Sequence, residues 1–149
     1  MFVSPLRMTL RQIALTASIV ASTACTSYPA DVRYSWNRMR PQLRATVPPQ
    51  ELTTWWTELS RCAGRSSPLP ALVWFAVPGI YFDVVRQRYA GFYFADEHAI
   101  VVAEGVAQQA ELRANVLRHE LLHVLIDTAD HPAEFFERRC GSLVRPGRP

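Results

Sequence analysis

Residues 116–126, with the sequence VLRHELLHVLI, constrain the fold more than any other part of the chain. Apolar residues occupy nearly every side of a helix drawn through this segment, which is typical of a buried helix. The same segment contains ionisable side chains, namely Arg118, His119, Glu120 and His123. Burying such groups without partners costs several kcal/mol. We therefore expect a buried helix whose polar groups share a common partner.

A metal ion is the partner that this spacing favours. His119 and His123 are four residues apart, so on a helix their imidazoles project from one face about one turn apart. Two imidazoles placed in this way can bind one zinc ion, and Glu120 completes an H-E-x-x-H arrangement in which the glutamate is the general base. Since zinc lowers the pKa of a bound water to about 7, the motif predicts hydrolysis at a carbonyl group.

A third ligand is expected shortly after this helix. His131 follows the helix-breaking residues DTAD and is the first candidate. Glu134 or Glu137 on the next helix could serve instead, as could Asp127 or Asp130. The two aspartates also suit turn and capping positions, or could accept a hydrogen bond from a ligand imidazole.

The motif and the following HPAEFF segment resemble the zincin metallopeptidases, and the HPAEFF segment is similar to that of the SprT-like and WLM metallopeptidases. The resemblance covers about eighteen residues. It implies that His119, His123 and His131 bind zinc and that Glu120 is the catalytic acid and base. It also implies that Phe135 packs under the site. The seven residues between His123 and His131 are more than those families usually have, so the connecting loop is expected to differ.

The same resemblance implies a peptide or protein substrate. Residues 99–104, AIVVAE, are expected to form an edge strand that pairs with an extended peptide. Spacing does not separate the candidates for stabilising the oxyanion, which are Tyr81, Tyr89, Tyr93 and Arg86. The alternative hypothesis is a non-catalytic envelope lipoprotein, a binding module whose zinc site is structural or vestigial.

The N-terminus has the features of an export signal. Two arginines precede a short apolar run that ends in small residues, so residues 1–24 are interpreted as a signal peptide. The STAC sequence resembles a bacterial lipoprotein signal, with Cys25 lipidated and the protein anchored to the membrane of the cell envelope. Ordinary cleavage after Ala24 and an N-terminal core helix are the alternatives. Residues 25–49 are predicted to be a tether.

An exported chain can form disulfides. With Cys25 lipidated, Cys62 and Cys140 remain as an even pair, and we expect a bridge between them rather than two buried thiols. A loop of this length would stabilise the fold by roughly 4 kcal/mol.

The remaining pattern predicts an α+β fold for residues 50–143, with 144–149 as a tail. An N-terminal helix, a three-stranded antiparallel or mixed sheet, the H-E-x-x-H helix and a C-terminal helix are expected in that order, as in a small zincin-like domain. Residues 83–88 are predicted to be an exposed loop, and His98 to be a solvated turn residue. Without residues 1–24 the chain has 14 arginines against 13 acidic residues, which argues against nucleic-acid binding.

Overall fold

The computed structural model of the chain describes residues 30–145. The helices are α1 (Ala30–Met39), α2 (Leu52–Ala63), α3 (Glu104–Ala107), α4 (Ala110–Ile126) and α5 (Gly141–Val144), with a π-helical segment at Glu134–Arg139. The strands are β1 (Arg44–Ala45), β2 (Val73–Val77), β3 (Phe82–Val84), β4 (Gln87–Tyr89), β5 (Gly91–Phe94) and β6 (Ala99–Ala103). This confirms the predicted α+β class, including the long histidine-bearing helix α4.

The main sheet is mixed and has four strands in the order β1, β2, β6, β5. Strands β2 and β6 run parallel, with Val73 opposite Ala99, and the two outer pairs are antiparallel. All five residues of β6 are buried, as expected for a continuous apolar run at the centre of a sheet. The expected edge strand at 99–104 is therefore wrong: β6 is central, Glu104 begins α3, and β5 is the edge strand on this side.

Helix α1 belongs to the folded domain, so the predicted tether over residues 25–49 is wrong from Ala30 onward. Val32, Trp36 and Met39 recur at helical spacing and are buried. The Trp36 ring packs against Phe94 with a centroid distance of 4.9 Å. The arginines and prolines around these residues obscured a narrow apolar stripe in the sequence. The predicted signal peptide and Cys25 lie outside the described residues.

A second hairpin replaces the predicted loop at 83–88. Strands β3 and β4 pair antiparallel, with Val84 opposite Gln87. The two turn residues, Val85 and Arg86, have φ values of 46° and 65°. Such turns normally contain Asn or Gly, so the sequence carried no hairpin signal. At the other end of the chain Val144 is buried, so it belongs to the core rather than to a tail.

Helix α2 packs on α4 and anchors the C-terminal segment. Trp55, Trp56 and Leu59 are buried, so the tryptophan pair lies in the core. A disulfide joins Cys62 at the end of α2 to Cys140, as predicted. The bridge is consistent with an oxidising, extracytoplasmic location. Among residues 30–145, every helix is too short or too polar to cross a bilayer.

Candidate metal centre

The end of α4 and the turn after it bring three histidines together. Helix α4 stops at Asp127, which has a left-handed φ of 53°. The next residues form a turn in which the Asp130 N–H donates to the Thr128 hydroxyl at 3.1 Å. This turn returns the chain toward the helix, and the Nε2 atoms of His119 and His131 lie 2.8 Å apart. One ligand nitrogen from each of His119, His123 and His131 lies within 4.8 Å of the other two.

One aromatic ring supports the whole cluster. The Phe136 ring is 4.8 Å from that of His119 and 4.7 Å from those of His123 and His131. The resemblance had assigned this position to Phe135, which instead lies under the Arg65 guanidinium at 5.4 Å. The adjacent residue, Phe136, faces the histidines near the start of the π-helical segment. The Cys140 N–H accordingly donates to the Phe135 carbonyl, five residues back.

A backbone carbonyl orients one of the imidazoles. His123 Nδ1 lies 2.8 Å from the Thr128 carbonyl oxygen, so Nδ1 donates the hydrogen bond and Nε2 keeps its lone pair. Partners of this kind fix the ring orientation and tautomer of metal-binding histidines. The side chains of Asp127 and Asp130 were the expected partners for this role. Thr128 carries no sequence signal for it, because every residue has a carbonyl group.

Burial keeps the imidazoles neutral. Desolvation lowers the pKa of both His119 and His123 from 6.5 to about 4, and the neighbouring histidines add to the effect. The pKa of His123 is lowered despite its hydrogen bond to the Thr128 carbonyl, which acts in the opposite direction. At neutral pH both rings therefore offer lone pairs to a cation without first losing a proton.

Glu120 is buried between α4 and the edge strand β5. Its side chain lies close to the strand, where Oε2 accepts a hydrogen bond from the Tyr93 N–H at 3.0 Å. Burial raises the pKa of Glu120 to about 8, although the Tyr93 hydrogen bond favours the charged form. This close approach depends on Gly91, because a Cβ atom there would overlap Val116 Cγ1 and contact the Glu120 side chain.

The histidines and Glu120 face a groove of about 570 Å³. Aromatic side chains from the sheet side line it, namely Tyr89, Phe92 and Tyr93. Of the oxyanion candidates, the two tyrosines Tyr89 and Tyr93 therefore reach the groove. Arg86 lines a different groove, between α1 and the β3–β4 hairpin.

Asp127 and Asp130 line the groove beside the histidines, whereas the two alternative glutamate ligands are held in ion pairs. Glu134 pairs with Arg139 at 3.6 Å, and Glu137 pairs with Arg145 at 3.0 Å. His98 is exposed in the turn before β6, as predicted. Within residues 30–145, His131 is thus the side chain that joins the pair on α4.

The donor set fits a metal ion. Two nitrogens bound to one tetrahedral zinc ion lie about 3.3 Å apart, so the His119 and His131 nitrogens need to separate by only about 0.5 Å. Three imidazoles also form a typical ligand set for a site that keeps one coordination position open. Three further features support the same interpretation. The imidazoles of His119 and His123 are neutral, the tautomer of His123 is fixed, and the Phe136 ring packs against all three histidines.

Comparison of the chain with protein-family models, with curated proteins and with solved structures finds no match in any of the three. The assignment of this metal centre therefore depends on the geometry and chemistry of its own residues.

Proposed function

We propose that this protein is a zinc-dependent peptidase. The observation that carries the proposal is the joint placement of three imidazoles and one buried glutamate side chain at the wall of a single groove. His119, His123 and His131 would hold the ion, and Glu120 would move the proton. A purely structural metal site has no need for a buried glutamate beside its ligands.

Zinc is the metal that this donor set suits best. Imidazole is a borderline ligand that zinc binds well, whereas magnesium and calcium prefer oxygen donors. When bound, zinc would polarise a substrate carbonyl and make a nearby water more acidic.

Glu120 is placed to act as base and then as acid. Without a metal ion its pKa is about 8, and the positive charge of a bound zinc ion would lower that pKa and favour the carboxylate form that accepts a proton. It would accept a proton from the water that attacks the carbonyl carbon, and later donate that proton to the leaving amine. In the structure without a bound peptide, the Tyr93 N–H holds the Glu120 side chain against β5. The hydroxyl groups of Tyr89 and Tyr93 are the candidates for stabilising the oxyanion, because both side chains line the groove.

An extended peptide is the substrate that the groove favours. Strand β5 is at the edge of the main sheet and carries Phe92 and Tyr93 of the groove wall. Exposed strand edges bind peptides by main-chain hydrogen bonds, while adjoining pockets select side chains. A peptide lying along β5 would pass Glu120, which is bonded to that strand.

We also propose that the protein acts in the bacterial cell envelope, attached to the membrane through lipidated Cys25. Support comes from the signal-like N-terminus and from the Cys62–Cys140 bridge, which requires an oxidising compartment.

The test begins with zinc content and zinc affinity of the purified protein, followed by cleavage of a library of quenched fluorescent peptides. Glu120→Gln should keep the zinc and the fold while lowering kcat by about 100-fold or more, the usual effect of removing a general base. The matched control is Glu97→Gln, an exposed carboxylate in the turn before β6. Full activity in the Glu120→Gln variant would refute the assigned base.

A second comparison tests the ligand set. His131→Ala should weaken zinc binding by at least about tenfold, whereas His98→Gln should leave it unchanged. A protein that binds zinc through these residues yet cleaves no peptide would favour the non-catalytic binding module instead.

A further inference from the structure

A second groove, of about 820 Å³, lies between α1 and the β3–β4 hairpin, away from the metal centre. Residues at helical spacing on one side of α1 form one wall, namely Asp31, Tyr34, Ser35 and Arg38. The hairpin forms the other wall with Asp83, Val85, Arg86 and Arg88. The proposed peptidase mechanism uses none of these residues.

The hairpin tip is held against α1 in a costly conformation. Val85 has a φ of 46°, a region that β-branched residues rarely adopt, and Arg86 follows with a φ of 65°. The Val85 N–H donates to the Ser35 hydroxyl at 3.1 Å, which fixes the tip to the helix. Arg86 is thereby presented on the same groove as Arg38.

The charge of this groove is positive. Arg88 lies 3.8 Å from Asp83, so these two side chains partly neutralise each other. That leaves Arg38 and Arg86 against the single carboxylate of Asp31. Within the described residues neither arginine forms an ion pair. Guanidinium groups in such a cluster are suited to phosphate, which they bind through paired hydrogen bonds.

The rim of the groove is apolar and exposed. Tyr34 is 68 % exposed and Val85 is 40 % exposed. A tyrosine beside arginines is the side-chain combination found where proteins contact the headgroup region of a membrane. Cys25, the predicted lipidation site, is five residues before Ala30, the first residue of α1. Five residues span at most about 18 Å, so a lipid on Cys25 would keep α1 near the bilayer surface.

We propose that this groove binds the phosphate of anionic phospholipid headgroups and so orients the domain on the membrane. Arg38 and Arg86 contact the phosphate, and Tyr34 and Val85 contact the interfacial region. The proposal is independent of the metal centre, and either one can fail without the other.

Vesicle binding tests the proposal. The full chain carrying Cys25→Ser, which removes any acyl chain, is mixed with vesicles of phosphatidylcholine alone or of equal parts phosphatidylcholine and phosphatidylglycerol. Arg38→Gln with Arg86→Gln should weaken partitioning onto the anionic vesicles by about 25-fold, since each arginine near such a surface contributes about fivefold. Binding to the neutral vesicles should not change.

The control variant removes the same charge elsewhere. Arg61→Gln with Arg138→Gln alters two exposed arginines on α2 and the π-helical segment, which do not line the groove. It should retain binding within about twofold. Equal losses in both double variants would show attraction by overall charge alone and would overturn the proposal. Binding of soluble glycerol phosphate through Arg38 and Arg86, with no difference on vesicles, would also overturn the membrane assignment. An unchanged far-UV circular dichroism spectrum and an unchanged Tm in both variants confirm that they are folded.

Discussion

Removal of the Cys62–Cys140 bridge should destabilise the domain severely. The two cysteines are 78 residues apart, and the loop-entropy relation gives roughly 4.5 kcal/mol at 25 °C for a loop of that length. Single domains are typically stable by only about 5 to 15 kcal/mol. The bridge therefore accounts for a third or more of the expected free energy of unfolding. We expect the Cys62→Ala, Cys140→Ala double variant to unfold near or below physiological temperature.

Urea unfolding in the presence of a chelator measures this effect. Wild-type protein treated with a reductant is the matched control, because it keeps both sulfur atoms in the buried site and loses only the bond. Both samples should lose a similar free energy of unfolding relative to the oxidised protein. A loss below about 1 kcal/mol in the reduced wild type would refute the loop-entropy reasoning. Saturating zinc should add the same stability with and without the bridge, because the bridge acts mainly on the unfolded chain.

Two further predictions concern the buried groups around the metal centre. Gly91→Ala should destabilise the fold by about 1 to 3 kcal/mol, because the new methyl group overlaps Val116. Thermal unfolding measures the effect, and an unchanged Tm would show that β5 can move away from α4 without cost. In the metal-free protein, stability should rise from pH 4 to about 6.5, since His119 and His123 have a pKa of about 4 when folded and take up protons in the unfolded chain. It should then fall toward pH 8, because Glu120 stays protonated in the folded state up to a pKa of about 8 and ionises earlier when unfolded. Urea unfolding across this range should give a maximum near pH 6.5, and a monotonic curve would contradict the pKa assignments.

The three-histidine cluster was predictable from the sequence because two of its members lie on one helix and the third follows a single turn later. His119 and His123 lie on one helix, so their spacing alone places both rings on one face. His131 required only a turn between it and that helix. The disulfide was predictable for a different reason, because two cysteines have one possible pairing once Cys25 is set aside as the expected lipidation site.

The parts that could not be predicted depend on backbone geometry. Thr128 orients His123 through its carbonyl, which is chemically the same in every residue. Phe136 rather than Phe135 lies under the histidines, and two adjacent phenylalanines give no sequence signal for which ring faces inward. Strand β6 pairs with β2 on one side and with β5 on the other, which leaves β5 at the edge of the sheet. The parallel pairing of β2 with β6 joins distant parts of the chain, and the alternation of apolar residues does not encode it.

The hydrogen bond between the Tyr93 N–H and Glu120 gives the edge strand a second role. A peptide that pairs with β5 through the Tyr93 amide would compete with the carboxylate for the same donor. A hydrogen bond contributes about 0.5 to 1.5 kcal/mol to a neutral acceptor and about 1.5 to 3 kcal/mol to a charged one, so the two events would be energetically linked. Binding of an extended peptide would then release the Glu120 side chain from Tyr93, so that it could turn toward the histidines. Without a peptide, Glu120 would stay hydrogen-bonded to β5.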